Sequence, residues 1–226
     1  MKGKTLAMKM TIVVAVTAAM VAVCYHFVDR PVAWFVHQHS PLLCGLLLWP
    51  PRVSDVLKFA APPAIALVFL WWLVRRNGRL QRVLLAISCN VIVTTLIKQF
   101  LKWSCGRYWP ETWKNGNPSL IRDNAYGFHP FHSGVAYESF PSGHAAVICS
   151  VLSILWLAYP RWRWCYAIFG AAVCVSMVGT NYHFVSDVVA GAVLGSMTGV
   201  LMTRLFRLRA ADPDIKEDCK VGHRRS

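Results

Sequence analysis

Apolar residues in this chain come in long uninterrupted runs. They show neither the period-2 alternation of a half-buried strand nor the half-polar face of a soluble amphipathic helix. Crossing about 30 Å of hydrocarbon takes roughly 20 helical residues. Six runs approach that length, at residues 10–28, 59–74, 83–97, 145–158, 166–180 and 188–205. Several are short and must borrow flanking residues. The pair Pro62-Pro63 is expected to open or kink the second run, because proline lacks the N–H that a helix interior uses. The first run, preceded by Lys2, Lys4 and Lys9, has the outline of a signal peptide. It is long for one, and Val23 is a poor small residue for cleavage, so it reads as a span. The pattern predicts an all-α polytopic membrane protein, with six transmembrane helices in a bundle and a long outer loop between helices three and four. Residues 1–205 form its transmembrane domain, and 206–226, with mixed charge and Pro213, form a mobile cytoplasmic tail.

Composition supports the same class. The apolar fraction is 56% and the charged fraction 15%, against roughly 45–50% and about 25% in soluble domains, which excludes a disordered chain. The formal charge of +14 invites a nucleic-acid reading. However, the basic residues punctuate the apolar runs and do not line one polar face, so a lipid bilayer is the expected partner and nucleic acid is not. Sixteen of the 24 basic residues fall in the N-terminal segment, the loops around Arg75–Arg82 and Arg161–Arg163, and the C-terminal stretch from Arg204. The positive-inside rule then places both termini in the cytoplasm and the segments 29–58 and 98–144 on the opposite face. Of the eight cysteines, only Cys44 and Cys105 are placed where a disulfide is conceivable; most of the others are small hydrophobes inside spans. Oligomeric state is not written in the sequence.

The outer side collects the chemistry-bearing residues in three clusters, at the outward ends of runs three, four and six. They are Lys102-Trp-Ser-Cys-Gly-Arg107-Tyr-Trp-Pro110, Phe140-Pro-Ser-Gly-His144 and Asn181-Tyr-His183-Phe-Val-Ser-Asp187. His183 and Asp187 stand at i and i+4, so on a helix they share a face. The carboxylate can then hold the imidazole so that its far nitrogen acts as a nucleophile, although the same spacing also makes an ordinary helix-start contact. Pro141-Ser142-Gly143-His144 bends the chain before an apolar helix. The N–H groups of Ser142 and Gly143 would face outward as an anion site, with the Ser142 hydroxyl as one more donor and His144 as proton donor to a leaving group. A simple N-capping serine turn fits these residues as well. Lys102 and Arg107 suit a phosphate, one as a point charge and the other as a fork. Lys98, one turn earlier on the face of Lys102, reads as a side chain snorkelling to the interface.

Together these clusters resemble the type 2 phosphatidic acid phosphatase family of membrane lipid phosphatases, whose signature is Lys-x6-Arg-Pro, then Pro-Ser-Gly-His, then Ser-Arg-x5-His-x3-Asp. The second element and the His-x3-Asp of the third match in full, in order. Two family arginines are absent: Trp109 stands at the first position and Met177 at the second. Arg107 is the nearest substitute, and Arg122, His129, His132 and Asn181 are further candidates on the outer side. The resemblance implies catalysis by His183, His144 and Asp187. Lys102, Arg107, Ser142 and Gly143 would bind the phosphate, with no metal and no cofactor. It further implies hydrolysis of a lipid phosphomonoester or pyrophosphate through a phosphohistidine, at the periplasmic face of a bacterial inner membrane. Transfer of the phosphate to a second lipid, and lipid binding without turnover, remain open beside it. His129/His132 and His37/His39 are the histidine pairs a metal could use, and loop pairs of this kind are commonly surface residues. Between Arg107 and Ser142 the aromatic-rich insert would serve as a lid on the bilayer or as an interfacial anchor.

Overall fold

The computed structural model describes residues 2–39, 49–74, 78–113 and 116–208. The tail beyond residue 208 and Cys44 lie outside the described residues; Cys105 is a free thiol. Helix α1 (Lys2–Val23) passes through a π turn (Cys24–Val28) into α2 (Asp29–His39). Then follow α3 (Trp49–Val74), α4 (Arg79–Cys105), the short α5 (Leu120–Asp123), α6 (Gly143–Ala158), α7 (Arg163–Gly179) and α8 (Val185–Leu205). Four stretches, Leu6–His39, Arg79–Cys105, Pro160–Gly179 and Val185–Leu205, are long and apolar enough to cross a membrane, and α6 is a shorter apolar helix. The protein is an all-α polytopic membrane protein. Among the described residues, β structure is limited to isolated bridges in the segment between α4 and α6.

The described parts of the outer segment 29–58 are helical: Asp29–His39 continues the first helix, and α3 already starts at Trp49. Pro31 interrupts neither, because the π turn just before it widens the backbone where the proline ring would meet the preceding carbonyl. Asp29 itself donates its N–H back to the Cys24 carbonyl, the five-residue step of that turn. Pro62 and Pro63 lie inside α3 and neither opens nor ends it. In a hydrocarbon setting the alternative to helix is unpaired backbone, which costs more than the missing N–H.

The tightest seam joins α6 to α8, and the sequence explains it. Gly191, Gly195 and Gly199 recur every fourth residue, which stacks them on one face of α8. A Cβ at Gly191 would strike the Ser142 carbonyl, one at Gly195 the Ala146 carbonyl, and one at Gly199 the Ser150 carbonyl and the Ser153 side chain. Backbone therefore packs against backbone along three turns. This holds the start of α6, with Ser142 to His144, against the start of α8. Ser142 N–H donates to the Asp187 carbonyl (2.9 Å), a direct link between the two helix entrances. At the other end of the bundle, Val83, Ala86, Ile154, Ala158 and Leu208 form one apolar cluster, so α4 and α6 also run together.

Replacing Gly195 by Leu should break this seam. The obstacle is backbone, which cannot rotate away, and overpacking of this kind costs about 1–3 kcal/mol. Thermal unfolding in detergent is expected to move down clearly for Gly195→Leu. It should stay unchanged for Gly78→Ala, whose added Cβ meets nothing within 4 Å.

Candidate active site

Each functional side chain sits at a helix entrance or on the segment between α4 and α6. His183 lies in the turn before α8, where its N–H and that of Tyr182 both donate to the Met177 carbonyl (3.0 Å each). His144 opens α6. The two imidazoles, from separate helices, face one another with ring centroids 6.3 Å apart. Tyr182 lies beside both, at 5.6 Å from His144 and 5.3 Å from His183. His183 is only 2% exposed, whereas the His144 ring keeps some access. Burial, with Lys102 adding to it, pushes the His183 imidazole below its ordinary value against the opposing pull of Asp187. It is therefore neutral near pH 7.

Asp187 reaches His183 at 3.7 Å (Nδ1 to Oδ2), a close contact longer than a hydrogen bond. The same carboxylate accepts from Ser139 Oγ (2.6 Å), from the Phe184 N–H (3.1 Å) and from Arg107 Nη1 (2.5 Å). Its bond to Phe184 caps the first turn of α8, which fixes the carboxylate relative to the helix that carries it.

Arg107 takes a different place from the one expected. Its guanidinium is fully buried, on the far side of the Asp187 carboxylate whose other oxygen meets His183. Nη1 also donates to Ser186 Oγ (2.6 Å), and Nη2 donates to Asp29 Oδ2 (2.8 Å) and Tyr126 Oη (3.2 Å). The rings of Phe184, Phe128, Tyr25 and Tyr126 surround it at 4.3–5.4 Å. Burial works against its charge, but Asp187 and Asp29 outweigh that and hold it protonated even more firmly than an ordinary arginine. With both terminal nitrogens committed to carboxylates, Arg107 positions Asp187 and has no fork left for a phosphate. Asp29, Tyr126, Ser139 and Ser186 were not legible as members of this network; only the isolated carboxylate of Asp29 at the end of an apolar run hinted at a role.

The anion turn also differs in detail. Ser142 is buried, its hydroxyl accepts from the Ala145 N–H (3.4 Å), and its own N–H is taken by Asp187. Gly143 and His144 remain as the first-turn N–H groups for which the helix supplies no acceptor. Lys102 Nζ donates to the Glu138 carbonyl (2.6 Å), lies 3.7 Å from the Glu138 carboxylate, and stands 5.6 Å above the Trp109 ring. Trp109, at the position of a missing family arginine, packs 5.3 Å from the His183 ring and donates its Nε1–H to the Val135 carbonyl (2.6 Å). Met177, at the other, is buried with Ala145 and Val188.

None of the auxiliary candidates fills the gap. Arg122 is exposed and pairs with Asp123 (3.0 Å) and the Gly116 carbonyl (2.7 Å). His129 meets Tyr108 edge to face, 4.5 Å away, and the exposed His132 faces the Pro130 carbonyl (3.0 Å). Asn181 Nδ2 donates to Glu111 (3.0 Å) and to the Ala33 carbonyl (3.2 Å). Lys98, expected to snorkel, is instead buried against Gly143. Near it, Asp55 on α3 pairs with Lys58 (2.6 Å) and comes within 3.7 Å of His144 Nε2. No group of three or more His, Cys, Asp or Glu that could hold a metal occurs among the described residues.

Comparison with known proteins agrees with this constellation. A profile of the PAP2 superfamily matches residues 81–210, which carry both histidines, Asp187, Lys98 and Lys102. A lipid A 1-phosphatase of Rhizobium etli is 27% identical over 129 residues, 55% of this chain and 53% of that protein. An undecaprenyl-diphosphatase of Sulfolobus acidocaldarius is 37% identical over 68 residues, 30% of this chain and 33% of its own length. The chain thus spans about half the length of the lipid A 1-phosphatases it matches. A transmembrane PAP2-type phosphatidylglycerolphosphate phosphatase from Bacillus subtilis shares the fold, with a TM-score of 0.50 at 14% identity over 89% of this chain and 98% of that one.

Removing Arg107 should be felt as lost stability. Arg107→Gln leaves two buried carboxylates without their cation, at a cost of about 3–5 kcal/mol. A large drop in the detergent thermal midpoint is expected, and Asp29→Asn should cost less, because it leaves Arg107 its Asp187 partner. An unchanged midpoint in Arg107→Gln would remove the network from its structural role.

Proposed function

The chain belongs to the PAP2 superfamily, and from that premise we propose that it is a membrane lipid phosphatase working through His183 and His144. The observation that carries this reading is the pair of imidazoles, brought from separate helices to a centroid separation of 6.3 Å, near enough for both to act on one phosphoryl group bound beside them. Neutral His183 attacks phosphorus in line while His144 protonates the departing oxygen. The resulting phosphohistidine is hydrolysed by water that His144 activates in the second step. As His183 gains positive character, Asp187 stabilises it, and Arg107, Ser139 and the Phe184 N–H keep that carboxylate from turning away. Lys102 and the first-turn N–H groups of Gly143 and His144 face the equatorial oxygens as charge spreads over them. Substrate enters from the His144 side, where Asp55 and Lys58 stand.

A lipid fits this entrance better than a soluble ester. Between α3 and α4 runs an apolar groove of about 420 Å³, lined by Leu57, Ala61, Val68, Leu84 and Val91. Its upper end, at Leu57, adjoins Lys58 and so meets the charged cluster next to His144. A chain lying in this groove would leave its phosphate at the imidazole pair. In the membrane, six helices span and both termini are cytoplasmic, which puts the site at the periplasmic face of a bacterial inner membrane. Residues 1–205 are the catalytic domain and the tail from 206 is separate from it. The reaction draws on no metal or cofactor.

Purified protein in detergent should release phosphate from one or more of phosphatidate, phosphatidylglycerophosphate, undecaprenyl pyrophosphate and lipid A, and His183→Ala should fall to background. Equal background for both proteins across that panel would favour binding without turnover, and a doubly phosphorylated lipid product would identify transfer. His144→Ala is expected to lose about 10²–10⁴-fold on an alkyl phosphate and far less on p-nitrophenyl phosphate, whose leaving group needs no proton. Because burial lowers the His183 value, the acid limb of kcat/KM should lie below the usual imidazole range. In Asp187→Asn, which removes the charge that favours protonation, that limb should move lower still.

A further inference from the structure

Lysine side chains gather around the His144 entrance, and Lys102 lies over Trp109, the position of one missing family arginine. Lys98 and Lys102 stand one turn apart on α4, and Lys58 approaches from α3. All three act electrostatically on one another or on His144. Like charges at i and i+4 repel, and an ammonium taken out of water costs several kcal/mol unless it is paired. Lys102 and Lys58 have partners, in Glu138 and Asp55. Lys98 does not: it is 8% exposed, and among the described residues its Nζ makes no hydrogen bond and no ion pair. Instead it lies over the anion turn, where a Cβ added to Gly143 would meet Lys98 Cδ at 3.0 Å and Nζ at 3.5 Å. Gly143 is thus the residue whose missing side chain admits the ammonium. Beside it are the Gly143 and His144 N–H groups. With Asp55 and Glu138 counted, the three ammonium groups keep one uncompensated positive charge next to His144.

We propose that Lys98 is a phosphate-binding residue, completing with Lys102 a lysine-based cradle for the substrate's phosphoryl oxygens where Trp109 and Met177 have displaced the family's arginines. The proposal rests on the phosphatase reading for its substrate, yet it concerns an anion site that can be probed without turnover. Lysine suits this place because it is a point charge on a flexible stem and needs no planar slot, and Trp109 has filled the space beside His183 that a fork would use. Lys58, held by Asp55, stands at the mouth and adds to the same field. Asp55, in turn, keeps that field from holding an anion too tightly before it reaches the imidazoles.

Inorganic phosphate is the probe. It should raise the thermal midpoint of the wild-type protein in detergent, and this protection should vanish in Lys98→Met. In the phosphate-free protein Lys98→Met should melt at the same temperature as wild type or higher, because it removes an unpaired buried charge; a merely structural lysine would lower it. In turnover assays the competitive inhibition constant for inorganic phosphate is expected to rise by about tenfold to a hundredfold, the loss of one charge-assisted hydrogen bond. Lys98→Arg should recover part of it. Equal protection of wild type and Lys98→Met by phosphate, or protection of neither, overturns the proposal. If phosphate protects in a Lys98-dependent way while no lipid of the panel is hydrolysed, the anion site stands and the phosphatase reading falls.

Discussion

The structure depends on one buried ion pair network. Arg107 is enclosed by four aromatic rings and buried from water, so its charge is balanced inside the protein by Asp29 and Asp187, at 2.8 and 2.5 Å. Those two carboxylates come from distant segments, the first helix and the last, and Arg107 itself comes from the loop after α4. Ser186 closes the circle, since its N–H donates to Asp29 (3.0 Å) while its hydroxyl also meets Asp29 and Arg107. No two of the three can be placed without the third. The network therefore acts as a folding constraint on α1–α2, on the segment after α4 and on α8. It also delivers Asp187 to His183 in a fixed orientation.

A second constraint works by shape. The glycine face of α8 brings it onto α6 with no side chains between, and that seam sets the distance between the His144 and His183 entrances. Electrostatics fixes how Asp187 is turned, while steric fit fixes how far the two helices stand apart. Catalytic geometry at the end of a bundle needs both, since a carboxylate correctly aimed on a displaced helix would still miss the second imidazole by ångströms.

Much of this was legible in the sequence, and the reasons are physical. Long apolar runs announce helices whatever their partners, so helices stand at all six positions read from hydropathy. Pro-Ser-Gly-His and His-x3-Asp are local patterns whose spacing fixes which side chains share an entrance, and both entrances meet. What failed depended on the third dimension. Arg107 looked like a phosphate ligand because its neighbours in sequence say nothing of Asp29, 78 positions away. Hydropathy ended the first span before Asp29, but charged residues at a bundle end can continue a helix when they have buried partners, as Asp29 has. The glycine repeat on α8 was readable at its four-residue spacing; its meaning lay in Ala146 and Ser150, which spacing alone does not name.

Arg107 and Lys98 make a useful contrast, since both are buried cations on or just beyond the same helix. Burial alone would suggest one role for both, and the accounting of partners assigns them different ones. Arg107 has both terminal nitrogens accepted by groups of the protein itself, with Nε alone left unpartnered, so an added anion would find no fork and would meet two carboxylates. Such a cation is part of the scaffold. Lys98 is largely buried with no acceptor of its own in the chain and lies beside another ammonium, although its Nζ is not sealed from solvent. A folded chain retains so unfavourable an arrangement when something outside the chain completes it. Next to Lys102, the first-turn N–H groups of Gly143 and His144 and the His144 imidazole, the partner proposed for Lys98 is an anion with several oxygens. On that proposal, the exchange of two guanidiniums for a tryptophan and a methionine is offset by ammonium charge elsewhere in the site.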